Sequence, residues 1–552
     1  MRKENGNEVD YSELPSLPKG WAWCLPADFC SVVASGSTPT ADKMFEGAGD
    51  VPFIKVYNLT HSGMLDFSVR PTFIGRETHS GAQKRSIAKP GDVLINIVGP
   101  PLGKVSLVPN DFPEWNINQA IVLFRPHKGI CNKYLAYAFL THSIMKRLTR
   151  LAKATAGQFN IGVSMCRELF PVPIAPFNEQ RRIVEQLDEL FSDLDAGVAA
   201  LERVQQKLVH YRAAVLKAAV EGALTAEWRE QQQSSGAATE PASALLARIL
   251  AERRRRWERE QLRKFAAAGK EPPKDWKAKY KEPVAPDTSK LPPLPEGWCW
   301  VSIDHLIREP LRNGHSSKTT NNHNGVPTFS LSAVTQGDFS SKNIKITAAD
   351  PIKVRDLWVE PDDIFVQRSN TPELVGTTRR YKGEPRKAIF PDLLIRVRIA
   401  PPILPTFVEL CLQSSHCHSY FRKKAQGISG SMPKIDQEVV QLTAIPLPPL
   451  AEQEAIIEIV EDQLSVIEHI AADVETKLKS AQALRQSILR HAFTGQLVPQ
   501  DPRDEPAAEL LKRIAAEREE RAHQAQAARQ SATKPKTERT KARRPRAARK
   551  KT

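Results

Sequence analysis

The chain has 552 residues, enough for three or four units with cores of their own, and its formal net charge of +16 points to a polyanionic partner. No unbroken apolar run reaches membrane-spanning length, and the opening stretch MRKENGNEVDYSELPSLPKG lacks the apolar core of a signal peptide. Seven cysteines without a C-x-x-C pair argue for reduced thiols in a cytoplasm.

After a polar leader (1–20) comes SLPKGWAWCLPADF, from Ser16, which is echoed by PLPEGWCWVSIDHL from Pro293. Each echo opens a segment of domain size, 21–172 and 298–445. The segments share a frame. DVPFIKVYNL from Asp50 answers GVPTFSLSAV from Gly325, and AKPGDVLINIVG from Ala88 answers VEPDDIFVQRSN from Val359, a Pro-x-Asp turn feeding a strand. NQAIVLFRP then answers PDLLIRVRI; a helical stretch follows in each, NKYLAYAFLTHSIMKRLTRLA and PTFVELCLQSSHCHSYFRKKA, and each segment closes on a Gly-rich loop, TAGQFNI or GISGSMPKI. The frames match while the polar residues on them differ, as expected of two domains performing one kind of task on two targets.

Residues 173–224 recur at 446–497 with a constant offset of 273 and no gap. Both copies read as one long helix. In the first, Ile183, Leu187, Leu190, Leu194, Gly197, Leu201, Val204, Leu208, Tyr211, Val215 and Ala218 trace a heptad seam; in the second, Ile456, Val460, Ile467, Ile470, Val474, Ala481, Leu484 and Ile488 match it, with Gln463 and Lys477 as polar interruptions. Prolines block each helix upstream, Gly222 and Gly495 offer an exit, and forty residues make a rod of about 60 Å. A third echo follows: PASALLARILAERRRR from Pro241 and PAAELLKRIAAEREER from Pro506 are short amphipathic helices within 225–297 and 498–530. The first leads into a Pro- and Lys-rich linker, with Arg253 to Arg256 and Trp257 either touching phosphate or forming an ordinary solvated face. The last residues, 531–552, form a basic tail of disordered composition with no counterpart in the first half.

Searches for catalytic chemistry end in failed matches. GPPLGKV (Gly99–Val105) imitates a P-loop but is one residue short between its glycines and has Val105 where the metal-binding hydroxyl belongs; Gly103 and Gly376 read as turn residues. No Gly-x-Gly-x-x-Gly opens a βαβ unit, no Asn/Asp-Pro-Pro-Tyr/Phe tetrapeptide grips an adenine, and Asp362 with Asp363 reads as turn chemistry. Cys411, His416, Cys417 and His418 fit no usual zinc spacing. The chain is expected to bind and position, with no metal and no catalytic residue of its own.

Two variable domains, each followed by a nearly identical long helix, with GW entrances, resemble the DNA-specificity subunit of type I restriction-modification systems. The motifs carrying the resemblance are Pro173, Pro176, Glu179 and Gln180, repeated as Pro446, Pro449, Glu452 and Gln453, then Arg212, Val215 and Leu216, repeated as Arg485, Ile488 and Leu489. The resemblance implies an α+β fold of two target-recognition domains joined by an antiparallel coiled coil of the repeated helices, with a pseudo-two-fold internal repeat. It implies that each domain reads half of a bipartite site on double-stranded DNA. Two methyltransferase subunits and the restriction (translocase) subunits are its implied partners, and no membrane. S-adenosylmethionine, ATP and Mg2+ would be used on those partners and no cofactor bound by this chain. The natural readers are Lys55, Asn58, Lys84, Arg85, Gln158 and Asn160 in the first domain, and Ser330, Ser332, Arg355, Arg368, Asn370 and Lys434 in the second; Asn and Gln suit adenine and Arg suits guanine. Glu179, Gln180, Arg212, Glu452, Gln453 and Arg485 are candidates for methyltransferase docking, the acidic ones equally for helix N-terminal charge balance. Other readings remain: a specificity subunit serving a fused type II nuclease-methylase, a coiled-coil scaffold binding DNA without sequence preference, and an unrecognised nuclease.

Overall fold

The architecture comes from a computed structural model that describes residues 9, 11–99, 101–155, 158–236, 239–322, 324–426 and 432–532. Residues 1–8 and 10 of the expected leader, the centres of the two Gly-rich loops and nearly all of the basic tail lie outside these residues. The chain divides into two compact units, Met1–Ala200 with Thr476–Thr552, and Leu201–Glu475. The division runs through the middle of both long helices, Phe177–Val220 and Leu450–Ala492. Each unit therefore combines one domain with the start of its own long helix and the end of the other.

In the first unit a four-stranded antiparallel sheet runs Cys30–Ser35, Ile121–Pro126, Val93–Asn96, Val105–Leu107. Beside it lies a five-stranded sheet in which Val51–Ile54 pairs parallel with Trp115–Ile117. The second unit repeats the first of these sheets as Arg312–Asn313, Leu394–Val397, Ile364–Gln367, Thr378–Arg380, and pairs Val326–Phe329 with Ile344–Thr347. The strands matched in sequence thus occupy matched sheet positions. In both units entrance meets exit: Ala22–Cys24 pairs with Val172–Ile174, and Cys299–Ser302 with Ala444–Leu447.

The helical stretch expected in each domain is two helices rather than one. Asn132–Leu140 gives way to His142–Arg150 at Thr141, and Pro405–Gln413 to Ser415–Lys424 at Ser414. Thr141 and Ser414 both adopt extended backbone, and the Ser414 hydroxyl accepts from the Cys417 amide, so a cap starts a new helix inside an apolar run.

Within each unit the long helices run antiparallel. In the first, Arg182 meets Asp504 at 2.7 Å and Arg485 meets Asp195, its guanidinium 4.2 Å from the Phe191 ring centre. In the second, Arg229 meets Glu452 at 2.5 Å and Arg212 meets Glu468 at 3.4 Å. The seam is buried toward the helix ends, where the domain supplies a third layer: Ile183, Leu187 and Phe191 share a core with Tyr134, Leu489 and Phe493, while Val215 and Ala219 share one with Phe407, Ile456 and Val460. Along the middle the seam is only partly covered. Gly197, Val204, Tyr211, Ile470 and Leu484 are exposed, Tyr211 by 52% and Leu484 by 51%, because two bare helices cannot enclose every seam position.

The helix exits explain the repeated glycines. Gly222 and Gly495 sit at φ +73° and +71°, and a Cβ on either would collide with a proline of an entrance turn, Pro295 over Gly222 and Pro18 over Gly495. Each domain entrance is thus docked on the end of the other repeat's helix. The third echo packs equivalently: the Ala242 amide donates to Gly297 O and the Ala507 amide to Gly20 O, both at 2.8 Å, burying Leu245 and Ile249 in one core and Leu510 and Ile514 in the other.

Candidate nucleic-acid interface

The site grows from the strand after the Pro-x-Asp turn. Asp92 accepts from the Lys89 amide and Asp363 from the Glu360 amide, so both carboxylates tie their turns; each also takes a two-toothed grip from an arginine, Arg125 and Arg398. This accounts for Asp363, while Asp362 pairs with Arg380 at 2.5 Å. From the fixed strand a loop emerges in each domain, through 97–99 and 101–104 in the first and 368–377 in the second. Both loops close on a glycine of positive φ, Gly103 at +93° under Met145 and Gly376 at +83° under Phe421, which makes them turn glycines crowded by a helix rather than a phosphate cradle. Asn96 spans the first loop, donating to Pro101 O and accepting from the Lys104 amide.

A second segment crosses each loop at the same place. The Ile161 amide donates to Ile97 O and Asn160 bridges Val98; the Ile435 amide donates to Arg368 O and Lys434 bridges Ser369. The fold thereby brings together Arg368, Asn370 and Lys434, three residues separated by up to 66 positions. Lys434 is exposed, and the Arg368 Nε, shielded from water, has no hydrogen-bond partner, so this guanidinium keeps donor capacity unused. Asn370 spends its side-chain oxygen on the Thr371 amide. In the first domain Gln158 and Asn160 lie on the crossing strand paired with Lys153–Thr155. Lys84 and Arg85 are exposed on a short turn, held from below by a buried network in which the Asn116 amide donates to Gln83 O and Ser86 Oγ.

Three expected readers are spent inside the protein. Asn58 is fully buried: it accepts from the Lys55 amide and donates to Asp66 O and Val69 O, so no edge remains for a base. Ser330 and Ser332 bond each other, and Ser332 donates to Asn343 Oδ1 at 2.6 Å. Lys55 is half-buried, its Nζ 5.9 Å from the Tyr57 ring centre. Arg355 is 76% exposed beside Asp356 and, among the described residues, pairs with that carboxylate rather than joining the Arg368 cluster. The sequence reading missed Lys104, whose Nζ reaches Val56 O at 3.5 Å, and His61, whose imidazole is pushed down by burial and by Lys104. The signal available was Lys104 closing a turn between two paired strands.

The docking expectation for the helix starts is also corrected. Glu179, Gln180, Glu452 and Gln453 are at most 1% exposed, which leaves none of them open to another protein. Gln180 accepts from the Cys131 amide and donates to Ala175 O; Gln453 accepts from the Leu404 amide and donates to Pro448 O, pinning each helix start to its own domain. Glu452 accepts from Thr225 Oγ1, Arg229 and Trp298 Nε1. Glu179 is the equivalent group without an arginine ion-paired to it: its Oε1 and the Trp21 Nε1 lack hydrogen-bond partners, and burial raises its carboxyl, with the nearby Arg182 charge, itself paired with Asp504, opposing the rise only in part. Arg485 is 15% exposed and committed to Asp195 and Phe191, while Arg212 keeps 36% of its side chain in solvent. Cys411 and Cys417 are buried, with burial pushing the Cys417 thiol up to about 12, and no group of His, Cys, Asp and Glu suited to a metal occurs among the described residues. No helix among them is long and apolar enough to cross a membrane.

One frame carried twice, with different polar residues at the same loop crossing and each copy mounted on the same long helix, defines a duplicated recognition scaffold. Residues 18–203 match the type I restriction modification DNA specificity domain. The sequence is 25% identical over 519 residues to the type I restriction enzyme EcoKI specificity subunit of Escherichia coli (strain K12), covering 91% of this chain and 96% of that one. It is equally 25% identical over 519 residues, with the same coverage, to the StySPI specificity subunit of Salmonella potsdam. A 78-residue stretch is 45% identical to the EcoAI specificity subunit of Escherichia coli, covering 14% and 13% of the two chains. A solved chain from work on assembly of the type I R-M system superposes with a TM-score of 0.56 at 17% identity, over 88% of this chain and all of that one. Over most of its length the chain is therefore similar to the specificity subunits of type I restriction enzymes.

Proposed function

We propose that each domain reads one half of a bipartite site on double-stranded DNA, using the loop crossing at 97–104 with 158–160 in the first domain and at 368–377 with 432–434 in the second. The observation that carries this is the pair of crossings itself: equivalent backbone bonds, Ile161 to Ile97 and Ile435 to Arg368, carry different residues on matching four-stranded sheets. Phosphate contacts by exposed lysines and arginines position such a protein, and base edges are read by the residues that differ. The buried helix starts fix each domain rigidly to the repeated helices, which suits a spacer between half-sites.

The chain contributes recognition and no catalysis. Methylation and cleavage belong to two methyltransferase subunits and to restriction subunits, with S-adenosylmethionine, ATP and Mg2+ used there and none held by this chain. With the helix starts buried, docking of those subunits falls to exposed faces of the long helices, where Arg212 and Tyr211 stand in solvent. The test is a genome-wide map of N6-methyladenine in the native host with and without this gene. Loss of a two-part motif with a fixed gap upon deletion supports the reading, and swapping residues 21–172 or 298–445 then assigns each half. An unchanged map with the partner subunits expressed refutes it.

A further inference from the structure

The short helix after the first long helix is longer than its packing requires. Helix Ala242–Ala267 buries only Ala242, Leu245 and Ile249. Arg253 is the last anchor, donating to Asp304, with Arg256 reaching Arg308 O. Beyond that the helix turns back through Lys270–Lys281 and closes on itself. Trp257 stacks on Trp276 with ring centres 5.7 Å apart and planes 22° apart, and Tyr280 and Phe265 meet the same pair edge-on. The result is a hairpin arm with an aromatic staple of its own.

Its charge is one-sided. Residues 253–281 hold twelve lysines and arginines against four acids. Some cations are consumed inside the arm: Arg254 by Glu258 and Glu282, Arg259 by Glu252, Lys264 by Glu260, and Lys277 by Glu258. Arg263, Lys270, Lys274, Lys279 and Lys281 are all exposed and make no ion pair or side-chain hydrogen bond among the described residues.

The chain supplies its own control. The equivalent helix of the other unit, Ala507–Ala532, is anchored in the same way, by Leu510, Ile514 and Arg518. At the constant offset of 265, residues 518–532 carry three cations and two acids where 253–267 carry seven and two, and Ala522 and Gln530 stand in place of Trp257 and Phe265. The shared anchor thus demands neither the charge nor the aromatic staple. An ordinary solvated helix face needs no tryptophan stack; here the stack holds the exposed cations on one short hairpin.

We infer that the arm 253–281 is a sequence-independent binding element for the phosphate backbone of duplex DNA, separate from the base-reading crossings and engaging duplex beyond the bases they read. This rests on the DNA-binding role proposed above. Cations held on a short, stapled hairpin neutralise adjacent phosphates and release their counterions, which adds affinity without adding sequence information. In 0.15 M salt the field decays over about 8 Å, so the arm acts by contact rather than by long-range steering.

The experiment uses the full chain and a duplex of arbitrary sequence. Arg263, Lys270, Lys274, Lys279 and Lys281 are all changed to glutamine, with a companion in which the four lysines are changed to arginine, and binding is followed across a salt series. The glutamine variant is expected to bind at least about ten-fold more weakly, with the slope of log affinity against log salt smaller by roughly 2–4, while the arginine companion retains wild-type affinity and slope. Unchanged circular dichroism and thermal midpoint establish that the glutamine variant is folded. In the host, the glutamine variant is expected to leave the methylated motif unchanged in sequence. Equal affinity and slope for wild type and glutamine variant overturn the inference. So does lost association with the partner subunits at unchanged DNA affinity, which would give the arm to an acidic protein surface, and so does an altered motif, which would place the arm in base readout. If wild type itself binds no duplex, the broader DNA-binding reading fails rather than the arm alone.

Discussion

Removing Arg229 exposes how differently the two units hold the same glutamate. Glu452 is 1% exposed and its Oε1 receives both the Arg229 guanidinium at 2.5 Å and the Thr225 hydroxyl at 2.7 Å, with Trp298 on the other oxygen. In R229M the carboxylate stays buried and loses the one cation paired with it among the described residues, a change that costs about 3–5 kcal/mol. Because Arg229 also donates to Gly222 O at 2.8 Å, the loss falls on the helix exit as well as on the start of Leu450–Ala492. Read by hydrogen exchange, amides around 222–230 and 450–460 should open about two to three orders of magnitude more often than in wild type, since each ~1.4 kcal/mol is tenfold. The equivalent Glu179 has no such cation, and its carboxyl is raised above the ordinary value, so the folded state binds its proton more tightly than the unfolded chain. That contribution is present below the unfolded value of 4.5 and is lost as pH rises through the folded one. E179Q should therefore protect amides around 177–187 at least as well as wild type at pH 7, with any advantage gone at pH 4. Exchange in R229M within about threefold of wild type, or an E179Q variant that opens like R229M, would refute the reasoning.

Other outcomes follow from the same accounting. Asn58→Ala removes three hydrogen bonds at a fully buried site and should destabilise the first unit by about 2–3 kcal/mol, measured by denaturant unfolding, with no altered base at a methylated motif in the protein that still folds. Arg368→Ala should change or relax one base of one half-site, and leave the other half untouched, in a methylation map; a change in both halves would place Arg368 outside direct readout. Cys417, with its thiol pushed up to about 12, should resist alkylation in native protein at pH 8 and react only on unfolding, as followed by mass spectrometry.

The sequence by itself settles what repeats. Periodicity and spacing announce the long helices, because a seam of apolar residues every three or four positions has no other stable use, and the matched Pro-x-Asp turns and strands announce one domain frame used twice. The same evidence places Gly222 and Gly495 at helix exits, since only glycine tolerates the φ near +70° found there. What it leaves undecided is which pieces meet. Glu179 and Gln180 look like surface polar residues at a helix start, yet the domain packs over them, and burial converts them from a docking candidate into an anchor. Asn58 carries every mark of an adenine reader, but its donors and acceptor point at its own loop. The short helix beginning at Ala507 lies at the far end of the chain from the turn at Gly20 that it bonds, and no linear reading places it in the first unit. Local chemistry fixes the conformation of each segment. Whether a polar side chain is free to meet DNA depends on the neighbours that long-range packing brings over it, and those are decided only when the chain has folded.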